Sequence, residues 1–322
     1  MSATMAIGEI HQGGCLCGAV RYRAVVGESK TVTHCHCSMC RKVSGATLAT
    51  WAEFPAEDFE FTQGQPKIFR SSDIAERAFC GRCGCQLTFH AVGDPGGVSK
   101  RLWVAVGSTD RPAAIEPTHH IFTDDRLPRL RLEDSLPASP HQLPSIRTDD
   151  NLARPTRRAE SAIHQPDRTA ADHGSQQGGC LCGSVRYRAT NADTKTVAHC
   201  HCGMCRKLSG GTLVSWIEVA TKDFAFIQGH PDHFKSSHIA ERTFCGTCGC
   251  QFTFQFIVNP AEDSEILWLT LGSTDRPDDF EFAHHIFTDD QLPWLHFDDP
   301  LERWPNQFPG LRSDEGLTRR GR

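Results

Sequence analysis

The sequence predicts an all-β protein built from two tandem copies of one cysteine-rich domain, and three observations carry that prediction. Eight cysteines (Cys15, Cys17, Cys35, Cys37, Cys40, Cys80, Cys83 and Cys85) recur 165 residues later as Cys180, Cys182, Cys200, Cys202, Cys205, Cys245, Cys248 and Cys250. The same offset carries Trp103 to Trp268, Asp110 to Asp275 and the pair His119, His120 to His284, His285, so about 120 residues align without an insertion. A solenoid needs a period of roughly 20–50 residues and at least about three copies, so this is a duplicated domain. Within each copy, short runs of alternating or continuous apolar residues end at Gly, Pro or Asp, which is the pattern of strands and turns.

In chain order, "AVRYRAVV" and its counterpart "SVRYRA" alternate with period two, and "DFEFTQG" and "DFAFIQG" close on a glycine. "CQLTFH" and "CQFTFQF" alternate again, and "RLWVAVGSTD" and "ILWLTLGSTD" run apolar into a turn. Helix is expected only in short pieces, within Met39 to Leu48 after the middle cysteines and over Asp73 to Arg77. The boundaries follow: a first domain over residues 11–137, a flexible linker over 138–175, a second domain over 176–305 and a flexible tail over 306–322. The linker is rich in Pro, Ser, Asp and Arg and poor in aromatic and β-branched residues, too little apolar surface to order itself.

The 322-residue chain has a net charge of −5 and no long basic stripe, which excludes an extended nucleic-acid surface. No run of about 18 apolar residues is present and the N-terminus lacks a cationic stretch followed by an apolar one, so a soluble cytoplasmic protein with no membrane partner is expected. The sequence leaves the oligomeric state open. Sixteen cysteines in tight C-x-C and C-x-x-C clusters, without a secretion signal, fit thiolate-bound zinc better than disulfides.

A structural zinc takes four thiolate or imidazole ligands, commonly from two short hooks. Cys15/Cys17 with Cys80/Cys83 and Cys180/Cys182 with Cys245/Cys248 are such pairs of hooks, and an ion joining them would close most of each domain. Cys35, Cys37 and Cys40, with Cys200, Cys202 and Cys205, supply three ligands each, and an open fourth position marks a catalytic zinc. A fourth protein ligand from Cys85, Cys250, His34, His36, His199 or His201 would close the site instead. A divalent ion on three thiolates is formally −1, so it favours another soft thiolate over ionising water. Arg41, Lys42, Arg206 and Lys207 follow the hooks directly and are candidates to offset that charge or to meet an anionic ligand. Two zinc ions per domain and four per chain are expected.

The order G-G-C-x-C-G, C-H-C-x-x-C-R-K-x-x-G, F-C-x-x-C-G resembles the glutathione-dependent formaldehyde-activating enzyme family, which also includes centromere protein V. It runs over Gly14 to Gly18, Cys35 to Gly45 and Phe79 to Gly84, and again over Gly179 to Gly183, Cys200 to Gly210 and Phe244 to Gly249. The resemblance implies a β-tent fold, a four-cysteine structural zinc at the outer hooks and a three-cysteine catalytic zinc at the middle one. It implies carbon–sulfur lyase chemistry on a thiol–aldehyde adduct such as S-hydroxymethylglutathione, with glutathione and an aldehyde as small-molecule partners. The alternative is a non-catalytic, zinc-stabilised β module that binds or scaffolds. The chain departs from the family at Cys85 and Cys250, where a small residue is usual, and at Arg129, which stands where the second copy has Trp294.

Of the remaining candidates, His36 and His201 sit between two ligands and are possible proton carriers, whereas His119/His120 and His284/His285 read as exposed edge residues. Trp103 and Trp268 read as core, and Asp124, Asp125, Asp289 and Asp290 as turn residues.

Overall fold

A computed structural model describes residues 5–92, 100–142, 175–190, 197–257 and 265–307. Most of the expected linker, residues 143–174, and the tail from 308 onward lie outside them.

The first repeat contains β1 (Ile10–Gly14), β2 (Arg21–Val25), β3 (Val32–Cys35), α1 (Ser38–Ser44), β4 (Ala49–Pro55), β5 (Phe59–Gln63), β6 (Lys67–Ser72), β7 (Ala75–Phe79), β8 (Gln86–Ala91), β9 (Arg101–Ala105) and β10 (His119–Ile121). The second contains β11 (Ser175–Gly179), β12 (Arg186–Thr190), β13 (Val197–Cys200), α2 (Gly203–Ser209), β14 (Val214–Ala220), β15 (Phe224–Gln228), β16 (Asp232–Lys235), β17 (Ala240–Phe244), β18 (Gln251–Phe256), β19 (Ile266–Thr270), β20 (Phe282–Ile286) and β21 (Glu302–Trp304). Each repeat pairs a small sheet, β1-β2-β5 or β11-β12-β15, with a large one. The large sheets run β10-β3-β4-β9-β8-β7-β6 and β16-β17-β18-β19-β14-β13-β20-β21. The fold is therefore all-β, in two sheet-rich halves.

The alternation in "RYRAV" does what it predicts. Tyr22 and Ala24 of β2 are buried between the sheets while the arginines on either side are partly exposed, and the Tyr22 hydroxyl is satisfied by Ser108 Oγ at 2.8 Å. The helix expected within Met39 to Leu48 is shorter, because Gly45 takes a left-handed φ of 74° and its amide caps back onto the Arg41 carbonyl at 2.8 Å. The helix expected over Asp73 to Arg77 is absent. Those residues form the turn and start of β7, where Arg77 pairs with Phe69 of β6 and Phe89 of β8, and strand pairing on both sides overrides local preference.

The two repeats pack against each other about an internal pseudo-two-fold axis, a self-complementary arrangement. Lys42 Nζ meets Asp275 Oδ1 and Lys207 Nζ meets Asp110 Oδ1, both at 2.8 Å. Gln86 Nε2 donates to the Cys248 carbonyl at 3.2 Å and Gln251 Nε2 to the Cys83 carbonyl at 3.3 Å. Backbone joins directly as well, from Gly107 N to Gly210 O and from Gly272 N to Gly45 O, each at 3.1 Å. Gly84, at φ 73°, shows how close the contact is, since a Cβ there would stand 2.6 Å from Phe244 Cγ of the opposite repeat, and Gly249 meets Phe79 in the same way. Val43 of α1 belongs to the apolar cluster of the second repeat, and Leu208 of α2 to that of the first. Beyond the pseudo-symmetric pairs, Leu132 bridges Phe297, and residues 138–142 lie along β10, where Ser139 N donates to the His120 carbonyl.

The interface acids differ in setting. Asp275 is enclosed by Arg186 and Lys42, its side chain only 3% exposed, whereas Asp110, between Arg21 and Lys207, is 36% exposed. Arg21, then Lys207, hold the Asp110 carboxyl down to about 2; burial pushes the Asp275 carboxyl up, but Arg186 and Lys42 outweigh it and hold it below the usual range. Asp275→Asn leaves Arg186 and Lys42 without their buried anion and should cost about 3 kcal/mol in urea denaturation, against about 1 kcal/mol or less for Asp110→Asn. Because these carboxyls are depressed on folding, the stability they lend is whole above pH ~4, the ordinary carboxylate range, and is lost as pH falls through about 2 for Asp110. The Asn variants should lose less stability than the parent over that window, which acid titrations followed by circular dichroism will read.

Candidate metal centres

Two kinds of sulfur cluster occur in each repeat. At the outer clusters, Cys15 and Cys17 leave the end of β1 while Cys80 and Cys83 leave the end of β7, and the four Sγ atoms lie within 4.8 Å of one another. Cys180, Cys182, Cys245 and Cys248 repeat the arrangement. Tetrahedral zinc with Zn–S bonds of ~2.3 Å places sulfurs about 3.8 Å apart. The separations are 3.5 Å for Cys15–Cys17, 3.7 Å for Cys17–Cys80, 3.4 Å for Cys180–Cys182 and 3.7 Å for Cys182–Cys245, so the donor set fits such an ion. Amides point at the sulfurs, Val20 N at Cys15 Sγ and Val185 N at Cys180 Sγ, both 3.2 Å, and favour the thiolate.

The middle clusters draw three sulfurs from one hook. Cys35 ends β3, Cys37 caps α1 by accepting from the Cys40 amide at 3.3 Å, and Cys40 lies in the first turn; Cys200, Cys202 and Cys205 do the same around α2. Each trio is buried with its Sγ atoms within 4.8 Å. Hydrogen bonds from Cys35 and Cys37, with the charge of Arg77, hold the Cys40 thiol well below the usual thiol range, and Cys205 is placed alike by Cys200, Cys202 and Arg242.

Those two arginines are the residues the sequence reading missed. Arg77 Nη2 and Arg242 Nη2 donate to Cys40 Sγ and Cys205 Sγ at 3.6 Å. The guanidinium of Arg77 stands 5.0 Å from the Phe89 ring and that of Arg242 4.6 Å from Phe254, with Trp51 and Trp216 alongside. The signal was present in "AERAFC" and "AERTFC", a cation repeated on the buried face of a strand three residues before a hook. Beside the second middle cluster lies a cavity of about 110 Å³ with a mostly aromatic and aliphatic wall, including Trp268.

Other candidates fall elsewhere. Cys85 and Cys250 do not close the middle clusters. They face the opposite repeat, where their thiols donate to the carbonyls of Lys207 at 2.7 Å and Lys42 at 2.6 Å, and burial pushes both thiols up so that they stay neutral. Lys42 and Lys207, offered by the sequence as cations that offset the cluster's charge or meet an anionic ligand, pair with Asp275 and Asp110 of the opposite repeat. Arg41 Nη1 donates to the carbonyls of His36 and Asp125, and Arg206 Nη1 to those of His201 and Asp290, which ties each hook to the following 3-10 turn.

The histidines form chains on the strand face opposite the sulfurs. His36 Nε2 meets His120 Nδ1 at 2.9 Å and His120 Nε2 meets Asp134 Oδ1 at 2.9 Å, while His201, His285 and Asp299 repeat the chain. Burial drives His36 and His201 down to about 3, so they are neutral, and neither lines the cavity. His120 and His285 are buried rather than exposed, because the strand that carries each pairs with the neighbouring hook strand. Trp103 is buried, Trp268 reaches the cavity, and Asp124, Asp125, Asp289 and Asp290 occupy 3-10 turns as expected.

Fold and clusters together define a duplicated β protein whose halves each carry a four-sulfur and a three-sulfur centre that can hold metal ions. Residues 10–125 and 175–290 both match the family described as glutathione-dependent formaldehyde-activating enzyme, and the chain belongs to that family as a tandem duplication. Among relatives, an uncharacterised lyase of Schizosaccharomyces pombe is 34% identical over 87 residues, 24% of this chain and 56% of its own. A Halomonas elongata protein that carries the name glutathione-dependent formaldehyde-activating enzyme is 33% identical over 85 residues, 24% of this chain and 53% of its own. The chain thus spans about half the length of these curated relatives. A solved Rhodobacter sphaeroides structure aligns with 30% of this chain and 85% of its own, at 19% identity and a TM-score of 0.26.

Metal content tests the roles of the cysteines. Cys85→Ser and Cys250→Ser should leave it unchanged in plasma emission measurements, since a serine hydroxyl can still donate to the facing carbonyl. Cys80→Ala and Cys245→Ala should lose the outer ion and unfold the repeat that carries them.

Proposed function

We propose that the protein is a zinc-dependent carbon–sulfur lyase that makes or cleaves a thiol–aldehyde adduct such as S-hydroxymethylglutathione, with two zinc ions in each repeat. The observation that carries this reading is the three-sulfur geometry of the middle clusters: among the described residues no fourth His, Cys, Asp or Glu joins either trio, and Cys85 and Cys250 instead donate to the carbonyls of Lys207 and Lys42. In this assignment the outer clusters hold structural zinc, and Cys35, Cys37, Cys40, Cys200, Cys202 and Cys205 hold the reactive one. An ion held there would supply Lewis acidity and an exchangeable position for a substrate thiolate.

The chain supplies the surroundings. Cys37 and Cys202, as helix caps, fix the hook, and Arg77 and Arg242 lay a positive charge against the sulfurs, reducing the net negative charge that a fourth, substrate thiolate would meet. The mostly apolar wall of the cavity beside the second cluster disfavours water there, which favours adduct formation over hydration of the aldehyde. Membership of the family and the names of its relatives support a formaldehyde- and glutathione-related activity in general terms.

The test is zinc-edge X-ray absorption with and without glutathione, alongside an NMR assay of S-hydroxymethylglutathione. The expected result is four zincs per chain, a sulfur shell that changes on adding the thiol, and adduct turnover that Cys205→Ser and Cys40→Ser together reduce by at least about 100-fold. An unchanging four-sulfur shell without turnover would instead favour a binding or scaffolding module.

A further inference from the structure

The short helices that set the middle trios, α1 with Cys37 at its cap and Cys40 in its first turn and α2 with Cys202 and Cys205, do not complete their own C-terminal ends. The last carbonyls of a helix have no intrahelical donor. Ala46 N, which would continue the ladder of α1 onto the Lys42 carbonyl, turns instead to Ser44 Oγ at 3.1 Å, and Gly211 N beyond α2 turns to Ser209 Oγ at 2.9 Å. The Lys42 carbonyl receives its donor from the opposite repeat, the Cys250 thiol at 2.6 Å, and the Lys207 carbonyl receives the Cys85 thiol at 2.7 Å. Both cysteines are buried, and each is set in place by an outer hook: Cys245 N donates to the Cys250 carbonyl at 2.8 Å and Cys80 N to the Cys85 carbonyl at 2.9 Å. Val43 of α1 packs in the apolar cluster that holds Cys245, Cys248 and Cys250, and Leu208 of α2 in the one that holds Cys80, Cys83 and Cys85. A helix of seven residues is not stable through its own hydrogen bonds, so these contacts decide where it sits.

We propose that Cys250 and Cys85 are positioning residues that act across the repeat interface: Cys250 holds Cys35, Cys37 and Cys40 in metal-binding geometry, and Cys85 holds Cys200, Cys202 and Cys205. The outer centre of each repeat thereby supports the middle centre of the other. The connection runs from the Cys245/Cys248 hook to the Cys250 backbone, from the Cys250 thiol to the Lys42 carbonyl, and through the last turn of α1 to Cys40. Removing the thiol leaves an interface carbonyl without its donor, which favours fraying of that turn. In a helix this short the fraying reaches Cys40, and metal binding must then meet the cost of reordering it. The same residue type on the same acceptor in both directions makes the support reciprocal. The proposal rests on the metal assignment of the trios and is independent of the reaction they perform.

The test alkylates the full chain at buffered free zinc and reads the protection of each trio by peptide mass spectrometry, a measure of metal occupancy that needs no turnover. Cys250→Ala should raise the zinc concentration that half-protects Cys35, Cys37 and Cys40 on the order of tenfold, while that for Cys200, Cys202 and Cys205 moves less than about twofold. Cys85→Ala should do the reverse, and Cys250→Ser and Cys85→Ser, which keep a donor, should restore most of the affinity. Equal shifts at both trios, a shift confined to the mutated repeat's own trio, no shift, or serine variants as weak as alanine would overturn the proposal. Should the alanine variants fail to fold, stepwise chelation of the parent protein decides: the Cys35 trio should become reactive no later than Cys245 and Cys248, and a trio still protected after that hook is alkylated refutes it. Crossed shifts without lyase turnover would remove the lyase reading alone, and turnover without crossed shifts would remove this proposal alone.

Discussion

Convergence of distant sulfurs is the constraint on which the rest of the structure depends. Cys17 and Cys80 are 63 residues apart in sequence and 3.7 Å apart in space, and Cys182 and Cys245 repeat both numbers. Closing such a loop by chance is entropically unfavourable, and a metal that binds only the closed form returns its binding free energy as folding stability. Each outer cluster also fixes where β1 and β7, or β11 and β17, end. That fixes the Cys80/Cys83 and Cys245/Cys248 hooks, which place Gln86 and Gln251 where they can reach across to the other repeat.

The duplication therefore produces more than two beads on a string. Each hook helix rests on the 3-10 turn of the opposite repeat, through Gly45 O with Gly272 N and Gly210 O with Gly107 N, and each interface lysine ends on the opposite repeat's aspartate. The helix that positions one middle cluster is thus braced by the repeat that carries the other. The repeats are not equivalent in detail. Trp294 Nε1 reaches the Pro112 carbonyl, while its counterpart Arg129 binds the carbonyls of Asp278 and Phe280, so the same pseudo-symmetric position uses an indole on one side and a guanidinium on the other.

Within a repeat, strand alternation separates two chemistries. Cys200 lines the cavity while His199 and His201 pack on the buried His–His–Asp chain, so a run that looks like one dense metal nest in the sequence divides between two faces. The arginine that rises from β7 or β17 to the sulfurs supplies the positive charge.

The sequence by itself determined the repeat, the all-β class and the four cysteine groups, because a constant offset of 165 residues and C-x-C and C-x-x-C spacing are local, one-dimensional signals. It also determined the turn character of Asp124 and Asp289, since 3-10 turns are set by neighbouring residues. Only the tertiary structure decided the partners of residues far apart in the chain. Cys85 and Cys250 looked like spare ligands but are thiol donors to the opposite repeat, and Asp73 to Arg77, helical by local preference, is strand because two neighbours pair with it. Arg77 and Arg242 left only a repeated strand cation in the sequence, because a charge on a strand acquires a role only when folding buries it against aromatic rings and brings three sulfurs to its tip.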